Sequence, residues 1–369
     1  MPNVKTLGQV FTPLPVVEKM LALRRNFGSV LEPSAGNGAF FDRIQNCTGI
    51  EICHAHCKSG MRRMDFFDLP ESEKFDTIIG NPPFVRWRDI CPQTRAKLPH
   101  ALFDRRSNLY LFFIGKCLRH LRPGGELIFI TPRDFIKATA ARKLNAFLYE
   151  SGTITDFDDM GDARIFGDYA PNCAIWRFEK DDFCRRTNGG RRFSLVDGQL
   201  IFADAAGVLC RDIFRVKVGA VSGMDSVFSS ERFGNADFVC SHTRTTGKTR
   251  RMIFNAMHKS LLPHKGALIR RRIRRFGEND WWQWGRMHHI SDAPRVYVNA
   301  KTRRAAPFFT HPCRNYDGSV LALFPRDAAA DVAQLAEVLN RVDWRDLGFV
   351  CGGRFIFSQR ALSSVPLSF

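Results

Sequence analysis

The first half of the chain alternates short apolar runs with segments whose apolar residues recur at helical spacing. Four runs predict buried strands, at residues 29–32, 47–52, 75–80 and 126–130. Residues 38–44 predict the start of a helix, and residues 108–121 predict a longer one. Strands and helices that alternate in this way predict an α/β fold, with a mostly parallel sheet and helices on both faces.

The second half has a different pattern. Residues 181–192 are polar and contain Asn188-Gly189-Gly190, which predicts a linker. Beyond it, short strand-like runs mix with loops, and one amphipathic helix is predicted near residues 331–342. We therefore predict two domains, at residues 1–185 and 186–369, the second a mixed α+β domain.

Charge is unevenly placed along the 369 residues, which carry a formal net charge of +18. Residues 1–185 hold 26 basic and 22 acidic side chains, whereas residues 186–369 hold 29 and 15. A basic half joined to a nearly neutral one indicates a polyanion-binding domain beside a second activity. General surface basicity that favours solubility is the alternative explanation.

Several protein classes are disfavoured by the same composition. No apolar run reaches membrane-spanning length, and the first residues lack the layout of a signal peptide, so a cytoplasmic location without membrane attachment is expected. The eleven cysteines are scattered and are expected to be free thiols. The densest group, residues 47–57, has no Cys-x-x-Cys pair, so no metal is predicted.

The most informative motif is Asn81-Pro82-Pro83-Phe84, which directly follows a predicted strand. The Asn81 side chain can accept and donate hydrogen bonds, and the two prolines stiffen the backbone and leave bare carbonyl acceptors. Asn81 precedes a proline and is therefore held in extended geometry. A rigid strand end with acceptors beside an aromatic face suits a planar amine such as a nucleobase NH2. A plain strand-terminating turn is the alternative.

A second motif predicts a nucleoside-binding loop. Gly36 and Gly38 follow a predicted strand and permit a tight turn with close backbone approach to a ligand. The segment lacks the Gly-Lys-[Ser/Thr] ending of a phosphate loop, which disfavours ATP. Glu51 ends the next strand and can accept from ribose hydroxyls. Asp65 can accept from an adenine amine, with Phe66 against the ring. Together these residues predict an adenosine ligand that carries a transferable group.

These motifs, in this order, resemble the amino-methylating DNA methyltransferases of the gamma class, the TaqI-like adenine enzymes. The segments that carry the resemblance are residues 8–13, 32–38, Glu51, Asp65, 81–84, 107–110, 125–132, 165–167 with 174–178, and, more loosely, 218–223. The resemblance implies a Rossmann-like class I methyltransferase domain followed by a target recognition domain. It also implies S-adenosylmethionine as cofactor, S-adenosylhomocysteine as product and no need for a metal.

The resemblance also assigns roles to individual residues. Asn81 and the Pro82 carbonyl would clamp the adenine amine, while Phe84 and Phe166 would stack on the flipped base, with Tyr169 as the alternative to Phe166. The implied cofactor-binding residues are Phe11, Thr12, Pro13, Glu32, Ser34, Ala35, Gly36, Gly38, Glu51, Asp65, Phe66 and Asn81.

Basic residues of the second half are predicted to contact DNA phosphates, which supply affinity, whereas base-edge contacts supply specificity. They are Lys248, Arg250, Arg251, Arg270, Arg271, Arg272, Arg274, Arg275, Arg286, Lys301, Arg303 and Arg304. Each could instead form a solvated face. The nearby Trp281, Trp282 and Trp284 are predicted to belong to the core.

The predicted function is methyl transfer from S-adenosylmethionine to the N6 amine of a flipped-out adenine in a specific duplex DNA sequence. A monomer is expected, and a separate cognate restriction endonuclease is left open. Methylation of RNA adenine or guanine is the main alternative, because a basic half would serve RNA equally. A protein glutamine methyltransferase and a catalytically inactive DNA-binding protein are further alternatives.

Overall fold

The structure, a computed structural model, describes residues 10–99, 101–103, 107–161, 165–166, 172–203 and 207–367. By its internal contacts the chain divides into two units, residues 1–205 and 206–369. No helix within the described residues is long and apolar enough to cross a membrane.

A sheet of seven strands, counted over the described residues, forms the centre of the first unit. Its strands in chain order are β1 (Val30–Glu32), β2 (Cys47–Glu51), β3 (Arg62–Arg63), β4 (Phe75–Gly80), β5 (Leu121–Pro132), β6 (Gly152–Asp159) and β7 (Cys173–Lys180), and their spatial order is β3-β2-β1-β4-β5-β7-β6. Strands β1 to β5 pair in parallel, and β7 pairs antiparallel to both β5 and β6. The order reverses at β1, where β2 lies on one side and β4 on the other, and ligands of such sheets bind at that point.

Helices cover both faces of this sheet. The helices of the unit are α1 (Leu14–Leu21), α2 (Pro92–Lys97), α3 (Leu109–His120) and α4 (Arg142–Ser151). Successive strand residues alternate between faces, so Leu31 and Ile78 pack with α3 and α4, whereas Val30 and Ile79 pack with α1. The predicted mostly parallel sheet with helices on both faces is therefore confirmed.

Two predictions about local structure are corrected. Residues 38–44 form only a short 3-10 turn at Phe41–Arg43, because β2 begins at Cys47 and leaves no room for a longer helix. A hairpin of β8 (Arg192–Val196) and β9 (Gln199–Ala203) belongs to the first unit, so the division falls after residue 205 and not after residue 185. Phe193 and Phe202 of the hairpin stack on each other, and Phe202 also stacks on Phe157 of β6.

The second unit is built on a four-stranded antiparallel sheet. The sheet consists of β11 (Phe214–Val218), β14 (Val296–Asn299), β16 (Phe308–Phe309) and β17 (Val320–Pro325), in the order β11-β17-β14-β16. The short strands around it are β10 (Val208–Leu209), β12 (Ala236–Phe238), β13 (Arg250–Met252), β15 (Lys301–Thr302), β18 (Val350–Cys351), β19 (Arg354–Ile356) and β20 (Pro366–Leu367).

The helices of the second unit are short apart from one. They are α5 (Cys210–Ile213), α6 (Asp225–Phe228), α7 (Thr243–Thr246), α8 (Lys265–Ile269), α9 (Val332–Arg341) and α10 (Gln359–Ser363). Helix α9 is the amphipathic helix predicted from the sequence, and Asp331 caps it by accepting from the Ala333 amide at 2.8 Å. Ala336 and Leu339 of α9 pack on one face of the sheet with Val296, in agreement with a mixed α+β unit.

The hairpin gives the first testable prediction. Phe193 is fully buried in the main core of the first unit, so Phe193→Ala should lower the local stability of that unit by about 3 kcal/mol, the usual cost of emptying a buried phenylalanine site. Hydrogen exchange of the β6 and β7 amides should then accelerate. Phe183→Ala is the matched control, since Phe183 is 56% exposed and its removal should change exchange little. Faster exchange confined to the second unit would contradict the assignment of the hairpin.

Candidate functional site

A cavity opens at the carboxyl ends of β1, β2 and β4, where the strand order reverses. It has a volume of about 770 Å³, counting the solvent at its mouth. Residues from seven separate segments of the chain line it: Val10, Phe11, Pro33, Ser34, Gly36, Ile50, Glu51, Ile52, Met64, Asp65, Phe66, Asn81, Pro83, Ile90, Cys91, Thr94, Leu109 and Phe113. Phe11, Ser34, Gly36, Glu51, Asp65, Phe66 and Asn81 are among the residues predicted from the sequence to form one site, and the fold brings them together.

The glycine loop is held by the Glu51 carboxylate. Its Oε2 accepts from the Gly36 amide and its Oε1 accepts from the Cys53 amide, both at 2.7 Å. Gly36 has φ +54°, a left-handed conformation that glycine adopts without strain. Each carboxylate oxygen has a second lone pair, so Glu51 can hold the loop and still accept from a ligand hydroxyl at the cavity.

Three residues of the same segment do not line the cavity. Glu32 is 2% exposed, and its Oε2 accepts from the Phe41 amide at 2.7 Å, so it anchors the 3-10 turn beyond the loop. Ala35 is buried, and its amide donates to the Ile50 carbonyl at 2.8 Å. Gly38 has φ +78° and donates to the Ala35 carbonyl. These three residues support the loop, and their predicted cofactor contacts stay predictions.

Asp65 and Phe66 lie on the far wall of the cavity. Asp65 caps the 3-10 turn Phe66–Asp68, and its Oδ1 accepts from the Phe67 amide at 3.0 Å. Phe66 packs at the edge of the main core, with its ring 5.0 Å from that of Phe113 between centroids. An acidic group and an aromatic ring therefore face one space, which is the arrangement that a purine with an exocyclic amine requires.

Asn81 lies at the end of β4, and its side-chain amide has a defined orientation. Its Nδ2 donates to the Val10 carbonyl at 3.0 Å and to Thr12 Oγ1 at 3.3 Å. No side chain or amide in the described part of the chain donates to its Oδ1. The Ser34 hydroxyl donates to the Asn81 backbone carbonyl at 3.1 Å, which ties the motif to the glycine loop. Asn81 therefore presents an acceptor, because its donor is already used.

Thr12 and Pro13 act on the site indirectly. Thr12 orients Asn81, and Pro13 begins α1 by accepting from the Val16 and Val17 amides. Phe11 lines the cavity, with its ring about 3.5 Å from the position that a Cβ on Gly36 would occupy. The segment before α1 thus contacts both the loop and the strand end.

Two phenylalanines predicted to hold the target base lie near each other. The ring centroids of Phe84 and Phe166 are 6.5 Å apart, in an edge-to-face arrangement. Phe84 also contacts Tyr110, whose hydroxyl donates to Asp134 at 3.3 Å, and burial raises the pKa of Asp134. Tyr169, the alternative to Phe166, lies outside the described residues. Pro82 is buried and does not line the cavity, so its carbonyl stays a predicted contact.

Sequence reasoning missed the segment that follows the Asn81 motif. Ile90, Cys91 and Thr94, in or just before α2, line the cavity opposite the glycine loop. A signal was present in the sequence, because Cys91-Pro92 predicts the start of a helix soon after the motif. Three of the six intervening residues, at 85–90, are charged, so no apolar pattern marked the segment.

The thiol and imidazole groups of residues 47–57 do not form a metal site. No cluster of three histidine, cysteine, aspartate or glutamate side chains suited to a metal occurs among the described residues. Burial raises the pKa of Cys47 to about 12, which disfavours the thiolate that a metal would need.

In the second unit, the predicted DNA-contacting residues divide into exposed residues, residues paired with a carboxylate, and one buried residue, Arg271. Those that are exposed are Lys248, Arg270, Arg272, Arg275, Arg286, Lys301, Arg303 and Arg304. Arg250, Arg251 and Arg274 are paired with the carboxylates of Asp317, Asp237 and Asp280, at 3.4, 3.1 and 2.5 Å. Exposed arginines and lysines can reach phosphates directly, whereas the paired ones must first exchange a partner.

Arg271 is a correction to the predicted phosphate contacts. Its guanidinium is buried, donates to the carbonyls of Leu268, Trp281 and Gln283 at 2.8, 2.5 and 2.9 Å, and also donates to the Ser222 carbonyl. Burial lowers the pKa of this group to about 10. A guanidinium that donates to four backbone carbonyls stabilises the interior of the unit. Trp281 and Trp284 are buried beside it, as predicted for core residues.

Residues 37–166 match the family of Eco57I restriction-modification methylases. The Type II methyltransferase M.HincII of Haemophilus influenzae is 30% identical over 192 residues, which cover 47% of this chain and 38% of that protein. The Type II methyltransferase M.TthHB8I of Thermus thermophilus is 28% identical over 215 residues, covering 52% of this chain and 48% of that protein. The chain thus spans less than half the length of these two relatives.

Among solved structures, the Type IIL restriction-modification enzyme MmeI in complex with DNA aligns over 94% of this chain and 63% of its own, with a TM-score of 0.59. At 12% identity this likeness shows a shared fold.

The sheet order, the loop at its switch point and these comparisons define a class I S-adenosylmethionine-dependent methyltransferase fold. The match over residues 37–166 and the Type II methyltransferase relatives support a restriction-modification methyltransferase. The predicted cofactor, S-adenosylmethionine, is confirmed for this class. The gamma-class assignment and the roles of individual residues stay predictions.

The site also predicts a pH dependence of stability. Burial raises the pKa of Glu32 from 4.5 to about 8, so the folded state holds this proton more tightly than the unfolded state does. Folding stability should therefore fall as pH rises between these two values. Glu32→Gln keeps an acceptor for the Phe41 amide and removes the titration. Only the wild type should lose stability over this range. The difference in free energy of unfolding between Glu32→Gln and the wild type should therefore be about 1–3 kcal/mol larger at pH 8 than at pH 5. Urea unfolding at both pH values measures this difference, and parallel pH profiles would contradict it.

Proposed function

We propose that this protein transfers a methyl group from S-adenosylmethionine to the exocyclic N6 of an adenine that is rotated out of duplex DNA. The observation that carries the proposal is the fixed orientation of Asn81, whose Nδ2 is held by Val10 and Thr12 while its Oδ1 is left as an acceptor. An acceptor at that strand end, beside a cavity with Glu51 and Asp65 on its walls, suits an amine that approaches a bound methyl donor.

The chemistry needs positioning and charge complementarity. The N6 lone pair of adenine is delocalised into the ring, and hydrogen bonds from its two N–H groups to Asn81 Oδ1 and the Pro82 carbonyl favour a pyramidal nitrogen. That nitrogen attacks the methyl carbon, the carbon–sulfur bond breaks, and S-adenosylhomocysteine leaves as N6 loses a proton to water. In-line alignment of the reacting atoms and charge complementarity at the site both contribute to the rate enhancement.

The target nitrogen cannot be reached inside a duplex, so the base must leave the stack. Phe84 and Phe166 support this step. Their ring centroids are 6.5 Å apart, so a planar base that leaves the duplex can stack on these rings. Stacking of a base on an aromatic side chain contributes about 1–3 kcal/mol, comparable with the cost of unstacking.

A basic surface on the second unit supports DNA as the substrate. Arg304 donates to Thr245 Oγ1 at 2.8 Å, and Arg244 donates to the Ala306 carbonyl at 3.4 Å, which brings residues 241–250 and 301–311 together. Neither segment contains an acidic residue. We propose that this surface, which includes exposed Lys248, Lys301 and Arg303, contacts the phosphates of DNA. We also propose that the protein acts as a monomer and that any restriction endonuclease is a separate polypeptide.

The direct test is tritiated methyl transfer from S-adenosylmethionine to duplex DNA, total RNA and protein in parallel. Label in DNA, located at N6-methyladenine after nuclease digestion, is the expected result. Label confined to RNA or to glutamine of a protein would overturn the proposed substrate, and label at cytosine would overturn the proposed base.

Asn81→Ala gives a sharper prediction. The variant lacks the acceptor and should reduce methyl transfer by about a hundred- to a thousandfold, the scale seen when a transition-state hydrogen-bond partner is removed. Binding of S-adenosylmethionine, measured by calorimetry, should stay within about threefold, because the wall carboxylates are unchanged. Asn188→Ala is the control, since the Asn188 side chain donates to Asp156 at 3.0 and 2.9 Å and lies outside the cavity. Near-normal turnover by Asn81→Ala would refute the clamp.

The basic surface predicts a salt dependence. The double variant Lys301→Gln/Arg303→Gln should weaken DNA binding, and the slope of log affinity against log salt should become shallower by about 1 for each phosphate that is no longer neutralised. Arg345→Gln removes an exposed charge that lies between Asp343 and Asp346, and should leave the slope unchanged. Fluorescence anisotropy on a labelled duplex between low and physiological salt gives both slopes. Identical slopes for the wild type and the double variant would exclude this surface.

A further inference from the structure

Asp65, the carboxylate proposed to accept from the cofactor adenine, is held from two sides. The Phe67 amide donates to Oδ1 at 3.0 Å, and the Thr94 hydroxyl donates to Oδ2 at 2.7 Å. Lys97 lies farther from Oδ2, at 3.4 Å, and makes its shorter contact of 2.6 Å with Asp68. Since a carboxylate has about four lone-pair sites, Oδ1 keeps one for a ligand amine. The short Thr94 contact therefore sets the plane in which that acceptor points.

Thr94 is placed to do this by α2. Its side chain is buried, lines the same cavity and lies 29 residues from Asp65 along the chain. A threonine within a helix commonly bonds to the carbonyl one turn back, but this hydroxyl leaves the helix for Asp65 and receives a contact from Cys91 Sγ at 3.2 Å. The hydroxyl is thus oriented on both sides, as donor to the carboxylate and as acceptor from the thiol.

We propose that Thr94 is a positioning residue that enables Asp65 to distinguish adenine from hypoxanthine in the cofactor. An adenine amine can donate to the fixed Oδ1 lone pair, whereas the 6-carbonyl of hypoxanthine would place an acceptor against an acceptor. Sites built for such a donor reject an analogue that lacks it. The inference rests on the proposed contact between Asp65 and adenine and adds the group that gives it direction.

Removal of the Thr94 hydroxyl should weaken selectivity more than binding. Thr94→Val keeps the volume and shape of the side chain but leaves Oδ2 with the long Lys97 contact alone, so the carboxylate can turn toward Lys97 and water. Thr94→Ser retains the hydroxyl and should restore the wild-type behaviour. A purely structural role for Thr94 would instead lower stability and weaken both ligands equally.

The experiment measures dissociation constants of S-adenosylhomocysteine and S-inosylhomocysteine by calorimetry on the full chain. The wild type should prefer the adenosyl compound by at least about tenfold, and Thr94→Val should reduce that preference at least about threefold, with Thr94→Ser near wild type. Thr153→Val is the matched control, because Thr153 is a buried threonine whose hydroxyl donates to the Asp182 carbonyl at 2.7 Å. It should leave the ratio unchanged even if it lowers the melting temperature.

Asp65→Asn separates this inference from the proposed function. If Asp65→Asn removes the preference for the adenosyl compound and Thr94→Val leaves it intact, Asp65 recognises the adenine without Thr94, and the inference fails. If Asp65→Asn also leaves the preference intact, the proposed adenine contact itself fails. Loss of preference in both variants, with retention in Thr94→Ser and Thr153→Val, supports the inference.

Discussion

The site depends on one carboxylate that accepts from two backbone amides. Glu51 joins Gly36 of the loop to Cys53 beyond the end of β2, so it fixes the loop against the strand before any ligand is present. Charge-assisted hydrogen bonds of this kind are stronger than neutral ones and are little screened when buried. With the loop in place, Ser34 can reach the Asn81 carbonyl, and the glycine loop becomes continuous with the end of β4.

Much of the first unit was predictable because its signals are local. Strands 75–80 and 126–130, helix 108–121, the glycine loop and the Asn81 motif are each contained in a few consecutive residues, and the parallel topology places their ends at one edge. Strand β3 escaped prediction because two exposed arginines carry no apolar pattern. The β8–β9 hairpin was placed in the wrong domain because the polar, glycine-containing segment 181–192 before it is typical of a linker, while Phe193 and Phe202 connect it to a distant core.

The role of single charged residues was the least predictable feature. Within the run 270–275, Arg270 and Arg272 are exposed whereas Arg271 is buried among carbonyls, and nothing in six consecutive basic and apolar letters indicates which one turns inward. Glu32 and Glu51 were both expected at the cofactor, yet the first anchors a backbone turn and the second lines the cavity. Such distinctions arise from tertiary hydrogen bonds, which sequence spacing does not encode.

The bond from Asn81 to Val10 joins residues that are 71 positions apart in the chain. Between them lie the glycine loop, four strands of the sheet and the wall that carries Asp65, all of which must be in register before the amide can be oriented. A partly unfolded first unit could still form single strands or turns, but it would contain a freely rotating asparagine whose donor and acceptor are interchangeable. The orientation of the Asn81 amide is thus a sensitive reporter of cooperative folding, since the acceptor exists as a defined group only when residues 10–81 are folded together.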